Sequence, residues 1–244
     1  MSEKVALVTG GAKGIGRAVA LDLANRGWSV AICYRASAQE AGEVLDAAKK
    51  GGSKALAVQS DVSDPKLAAE LAGRVKEEFG GIDALINCAG PYHRISLLQE
   101  TLEGWHSMFD NNLHPVFYLS QAVIPGMKER QWGRIICFSM ANAEQLVAQP
   151  QLTAHYITKV GLVILMRSLA RLVAPYGITA NCIAPGFIDS GSAPKAELEG
   201  AAKRIPAGYV GSVDDTAAVV RFLLSDEARY INGANIQISG AWGV

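Results

Sequence analysis

The residues best placed to do chemistry begin at position 9. Thr9-Gly10-Gly-Ala-Lys13-Gly14-Ile15-Gly16 follows four apolar residues, Val5-Ala-Leu-Val, and runs into Arg17-Ala-Val-Ala-Leu-Asp-Leu-Ala, whose apolar positions recur at helical spacing. A buried strand that ends on a loop of little side-chain bulk, opening straight into a helix, can cradle phosphate. The helix start offers unpaired N–H groups and the positive end of the macrodipole. Gly10, Gly14 and Gly16 let the turn tighten and a pyrophosphate approach the backbone, with Ile15 on the same loop. A site for NAD usually adds an acid about 20 residues further on, to hold the ribose 2′-hydroxyl. Here that place reads Cys33-Tyr34-Arg35-Ala36-Ser37, without an acid. Arg35 supplies a cation there and Lys13 another, which suits a 2′-phosphate, so the expected cofactor is NADP(H).

The elements that must hold this loop alternate along the chain. Apolar, β-rich runs at 28–34, 55–58, 84–87, 134–138, 179–183 and 235–238 read as strands after the first. Helical spacing separates them, over about 37–50, 63–80, 102–129, 153–175 and 214–224. Ser37-Ala-Gln-Glu40 has the pattern of a capping box, and Ser63-Asp64-Pro65 places proline in a first turn. Such alternation implies right-handed crossovers and an α/β fold: one doubly wound parallel sheet of about seven strands with helices on both faces, Rossmann-like. No repeat or linker interrupts it, so residues 1–244 are expected to form a single domain. The Gly-, Ala-, Ser- and Pro-rich segment at about 186–211 is expected to be a substrate lid.

Composition excludes several function classes. Lys+Arg and Asp+Glu balance at 23 each, so no basic field invites nucleic acid or an anionic membrane. No apolar run approaches the roughly 20 residues that span a bilayer. The start, Met-Ser-Glu-Lys-Val, leaves no room for a secretory leader before the first strand. Cys33, Cys88, Cys137 and Cys182 are scattered in or beside apolar runs, which argues against zinc or a disulfide framework. The expectation is a cytoplasmic protein with no metal.

The glycine spacing Thr-Gly-x-x-x-Gly-x-Gly resembles that of the short-chain dehydrogenase/reductase family. Asp61-Val62, Asn87-Cys-Ala89-Gly90, Asn112, Lys159 and Pro185-Gly186 continue the family pattern in order, over essentially the whole chain. The look is that of the 3-oxoacyl-carrier-protein reductase branch. The resemblance implies that Asp61 contacts the adenine with Val62 beside it. It also implies that Asn87, Ala89 and Gly90 line the cofactor, that Lys159 bonds the nicotinamide ribose, and that Ile188 lies near the carboxamide after Pro185-Gly186. Cys88 departs from the commoner Asn, and Ser190 stands where Thr is frequent.

The two positions that matter most for chemistry break the pattern. Carbonyl reduction needs an acid for the oxygen and donors for the developing oxyanion. The family uses a Tyr four residues before the Lys, a Ser after the fifth strand, and an Asn matching Asn112. Four residues before Lys159 stands His155; Tyr156 is one place late, and the serine's place falls on Met140 with Ser139 beside it. Three readings stay open: Tyr156 takes the acid role, since i and i+3 share a helix face; His155 takes it, against the pull of a nearby ammonium on its pKa; or the chain binds cofactor and does little chemistry, as a non-catalytic subunit or partner of an active reductase. The expected substrate is a small carbonyl or alcohol, in a pocket formed by 92–98, 140–152 and the lid. Apolar residues all round 160–166, with Trp105, Met108, Phe109, Val116, Phe117 and Leu119 on the preceding helix, point to a homo-oligomer, dimer or tetramer.

Overall fold

The computed structural model describes residues 4–191 and 194–243. In chain order the elements are β1 (Val5–Thr9), α1 (Gly14–Ala24), β2 (Ser29–Tyr34), α2 (Ala38–Lys50), β3 (Ala55–Gln59), α3 (Pro65–Phe79) and β4 (Ala84–Asn87). Then follow α4 (Leu102–Asn112), α5 (His114–Arg130), β5 (Gly133–Phe138), α6 (Thr153–Val173), β6 (Ile178–Pro185), β7 (Ile188–Asp189), α7 (Lys195–Ala202), β8 (Gly211–Ser212), α8 (Val213–Leu224) and β9 (Asn235–Ile238).

Seven strands form one parallel sheet in the order β3-β2-β1-β4-β5-β6-β9. β1 is buried along its whole length, as a continuous apolar run must be when helices cover both faces. Alternation of side chains sorts the core into two. Leu7, Ala31, Leu85, Ile135 and Cys137 pack against α3, α5 and α6, while Ala6, Val8, Ile32, Ile86 and Ile136 pack against α1, α2 and α8. The cysteines are free thiols, and Cys137 Sγ lies 3.3 Å from Cys182 Sγ on the neighbouring strand.

Three expectations are corrected. The helix expected over 102–129 is two helices, broken at Leu113 (φ −103°, ψ −53°) where Pro115 removes a donor from the ladder. The capping box at Ser37 is not formed, since that side chain makes no cap bond. One forms instead at α8, where Ser212 and Asp215 bond each other's backbone. The 186–211 segment carries a short β7–β8 ladder and α7; its residues 192 and 193 lie outside the described residues, as do Met1–Glu3 of the start. Finally, Met108, Val116, Leu119, Leu162, Val163 and Met166 are buried within the chain, so they are not free for a partner. Among the described residues no helix is long and apolar enough to cross a membrane.

Candidate active site

β1 pairs with β2 on one side and β4 on the other, so the strand order reverses at β1, and a crevice opens beyond the strand ends there. A cavity of about 500 Å³ occupies it, lined by the 10–17 loop, Glu40, Cys88, Ser190 and Gly191. Glycine is required by geometry. Gly10 and Gly14 have φ of +63° and +53°, and a Cβ on Gly16 would sit 2.4 Å from the Gly10 carbonyl oxygen. Thr9 Oγ1 accepts from the Ala89 N–H at 3.1 Å and binds the β4 loop to the β1 loop. No acid occupies the first turn of α1 itself, and its positive end faces the cavity. These features fit a dinucleotide pyrophosphate: a cradle that a Cβ would fill, at a helix start.

The charged rim is more balanced than the sequence suggests. No acid ends β2, but the fold brings two from elsewhere. Glu40 of α2 meets Lys13 at 2.7 Å, and Asp61 meets Arg35 at 3.9 Å. Arg35 also donates to Asn111 Oδ1 at 3.2 Å, and Arg17 approaches Glu43 at 3.8 Å. The hydrogen bond from Lys13 holds the Glu40 carboxyl below its ordinary pKa. For Asp61, partial burial pushes upward, but hydrogen bonds from Ser63 and the Arg35 charge outweigh it. Val62 is buried beside it.

At the other end of the crevice the polar groups are buried. At the end of α4 the Asn112 side chain is buried; its Nδ2 donates to the Pro91 and Met108 carbonyls at 3.2 and 3.1 Å, while Oδ1 has no partner. A Cβ on Gly90 would lie 2.5 Å from that Oδ1, so Gly90 and Asn112 are pressed together. Asn87 likewise keeps a buried Oδ1 without a partner. Lys159 donates to the Phe138 carbonyl at 2.9 Å, and burial draws its pKa down to about 8. The Cys88 and Cys137 thiols beside it are raised by burial and stay neutral, so they do not compensate its charge. His155 lies one turn before Lys159. Burial and then the Lys159 charge draw its pKa down to about 4, against the Pro91 carbonyl. Its Nδ1 is buried without a partner, and the Tyr92 ring stands edge-on at 5.3 Å.

The two other hydroxyls near the site are committed elsewhere. Tyr156 donates to the Asn142 carbonyl at 2.8 Å and accepts from the Val147 N–H at 3.2 Å. Ser139 donates to Asn235 Oδ1 at 2.6 Å, on the side of β9. Met140 packs against the α6-side core. Pro185 ends β6, Gly186 lies so close to Ser239 that a Cβ would meet it at 2.9 Å, and Ile188 begins β7. Sequence reasoning missed Glu40, Arg17 and Asn111. Arg17 was within reach of it, as a cation in the first turn of a phosphate-facing helix; nothing local links Glu40 to Lys13.

A parallel sheet with a glycine cradle at its switch point defines a dinucleotide-binding protein of the doubly wound class. A family model described as enoyl-(acyl carrier protein) reductase matches residues 10–242. The 3-oxoacyl-[acyl-carrier-protein] reductase of Staphylococcus aureus is 37% identical over 240 residues, covering 97% of each chain. That of Escherichia coli is 36% identical, covering 97% of this chain and 96% of the relative. Among solved structures, a blue fluorescent protein from a metagenomic library in complex with NADPH superposes with a TM-score of 0.91 at 28% identity, over 99% of this chain and 98% of that one. Acetoin dehydrogenase from Salmonella typhimurium follows at 0.90 and 27%, over 98% and 97%. The chain belongs to the short-chain dehydrogenase/reductase family.

Proposed function

We propose that this protein is an NADP(H)-dependent oxidoreductase that interconverts a carbonyl and an alcohol on a small substrate. The observation that carries it is the glycine cradle with Lys13 and Arg35 at its rim and Lys159 at its far end. The relative bound to NADPH, and the reductases among the relatives, support the cofactor and the chemistry. Gly10, Gly14, Ile15 and Gly16 hold the pyrophosphate, Lys13 and Arg35 the 2′-phosphate, and Asp61 and Val62 the adenine. Asn87, Ala89, Gly90, Pro185, Gly186 and Ile188 line the remainder.

When bound, the cofactor supplies the hydride. The chain must supply a proton and hold the oxygen. Lys159 is suited to keep the proton, because a pKa of about 8 leaves it mostly charged at neutral pH and ready to release. His155, with a pKa of about 4, is neutral there; its one N–H is given to the Pro91 carbonyl, so Nδ1 is an acceptor, suited to an alcohol hydroxyl and not to a carbonyl oxygen. Asn112 holds the turn between β4 and α4 in place through Pro91. Tyr156 we assign to the loop, since both its hydrogen-bonding directions are used by Asn142 and Val147. A second reading, a non-catalytic NADP(H)-binding partner of an active reductase, is favoured by the diversion of the Ser139 and Tyr156 hydroxyls.

The whole chain acts as one domain with 186–211 as its lid, works in the cytoplasm, and assembles through the exposed Phe117, Ile157, Ile164 and Leu172 of α5 and α6. Fluorescence titration with NADPH, followed by NADPH oxidation with an acetoacetyl thioester, tests the function. Saturable binding and a rate that falls above about pH 8 are expected. Absence of NADPH binding overturns the assignment, and binding without turnover selects the second reading.

A further inference from the structure

The Lys13–Glu40 pair joins two segments that meet at the mouth of the crevice. Lys13 is the extended residue before α1 (φ −138°, ψ 164°), and Glu40 sits in the first turn of α2. Nζ and Oε1 are 2.7 Å apart, and both residues line the 500 Å³ cavity. Besides Lys13, the Glu40 carboxylate accepts from its own backbone N–H at the start of α2. The sequence pattern would have it cap Ser37, yet that cap is not made, whereas the equivalent pattern at Ser212 is. Its carboxylate thus spans the helix start and the loop cation.

The pair is solvent-accessible, 62% and 36% by side chain, so it is screened and readily exchanged for another partner. A phosphate monoester carries nearly two negative charges at neutral pH. Lys13 has three donors and can hold both anions, but the carboxylate then repels the phosphate across one ammonium. The Arg17–Glu43 pair has the same signs one helical turn further along, and Glu43 does not line the cavity.

We propose that Glu40 sets the 2′-phosphate selectivity of this crevice, as a built-in competitor for Lys13 that narrows the preference for NADP(H) over NAD(H). This rests on the NADP(H) reading above, and the experiment separates the two. Calorimetric titration compares adenosine 2′,5′-bisphosphate with adenosine 5′-monophosphate on wild type, Glu40→Gln and Glu43→Gln. Glu40→Gln is expected to tighten the bisphosphate about 3–10-fold and to leave the monophosphate within about twofold, the gain shrinking as salt is added. Glu43→Gln, which removes the same charge outside the cavity, is expected to change neither by more than about twofold. The proposal is overturned if Glu40→Gln leaves the bisphosphate unchanged, if it shifts both nucleotides equally, if it weakens the monophosphate alone, or if Glu43→Gln has the same effect. A wild type that binds neither nucleotide overturns the NADP(H) reading itself.

Discussion

The two ends of the crevice solve different problems with different parts of the chain. At the glycine-loop end, backbone does the binding. Loop geometry and a helix start make the cradle, and the charged side chains around it are exposed and paired in exchangeable ways. At the α6 end, the proposed reaction centre is made of side-chain heads. They are buried, their pKa values are displaced, and the hydroxyls within reach are bonded to the loop and to β9. A backbone device survives substitution of its neighbours, whereas a side-chain device is lost with one atom. Here the cradle is backbone geometry, whereas Met140 and His155 stand where a hydroxyl donor and acid are expected.

The largest expected effect would erase the contrast. Met140→Ser with His155→Tyr restores an oxyanion donor and an acid, and the double variant should reduce an acetoacetyl thioester ~10²–10⁴ faster than wild type, by more than the two single changes combined. An unchanged steady-state rate would show that these positions do not face the reacting oxygen.

Burial of His155 should also appear in stability. Its pKa is about 4 folded against 6.5 for the free group, so between those values the unfolded chain binds more protons. This contribution is complete above pH 6.5 and is lost as pH falls toward 4, by up to about 3 kcal/mol. Urea midpoints across that window, wild type minus His155→Asn, should show the slope; parallel curves would count against a buried neutral imidazole.

Gly16→Val tests the other end. With the Gly10 carbonyl oxygen 2.4 Å from the new Cβ, the loop must open, and NADPH affinity should drop ~10–100-fold. Far-UV circular dichroism of the same sample separates a displaced loop from an unfolded chain.

The smallest expected effect is on turnover by Tyr156→Phe. It strands the Val147 N–H and the Asn142 carbonyl and should cost about 1–3 kcal/mol in chemical denaturation. The rate at saturating substrate should stay within about twofold of wild type, on the scale of ~10²–10⁴ set by removing a true acid. Abolished turnover would instead return the acid role to Tyr156.

Most of the architecture was legible because its causes are local. A buried strand, a glycine turn and a helix start lie within twenty residues, and continuous apolar runs announce parallel strands with both faces covered. The break at Asn112 was also written locally, in Pro115, and was missed because the apolar spacing runs on through it. The site's polar partners were not legible. Ser139 meets Asn235 from 96 positions away, and Asn112 meets Pro91 from 21. Glu40 meets Lys13 from 27 positions away while the Ser37 cap that its spacing suggests is not made. Each of these choices is made by the folded neighbourhood and leaves no periodicity in the chain.

The loop after β5 has a further property, one of timing. Ser139 donates to Asn235, Asn235 donates to Glu144, Gln237 donates to the Ala141 carbonyl, and Gln145 reaches the Gly243 carbonyl. Every tie on this loop from β9 and the tail comes from residues made about 100 positions later. At ~5–20 residues per second, synthesis leaves some 5–20 s in which β1, the glycine cradle and the first helices can form while this loop waits. The nascent chain can therefore form its glycine cradle before the loop after β5 is tied down, and β9 supplies those ties last.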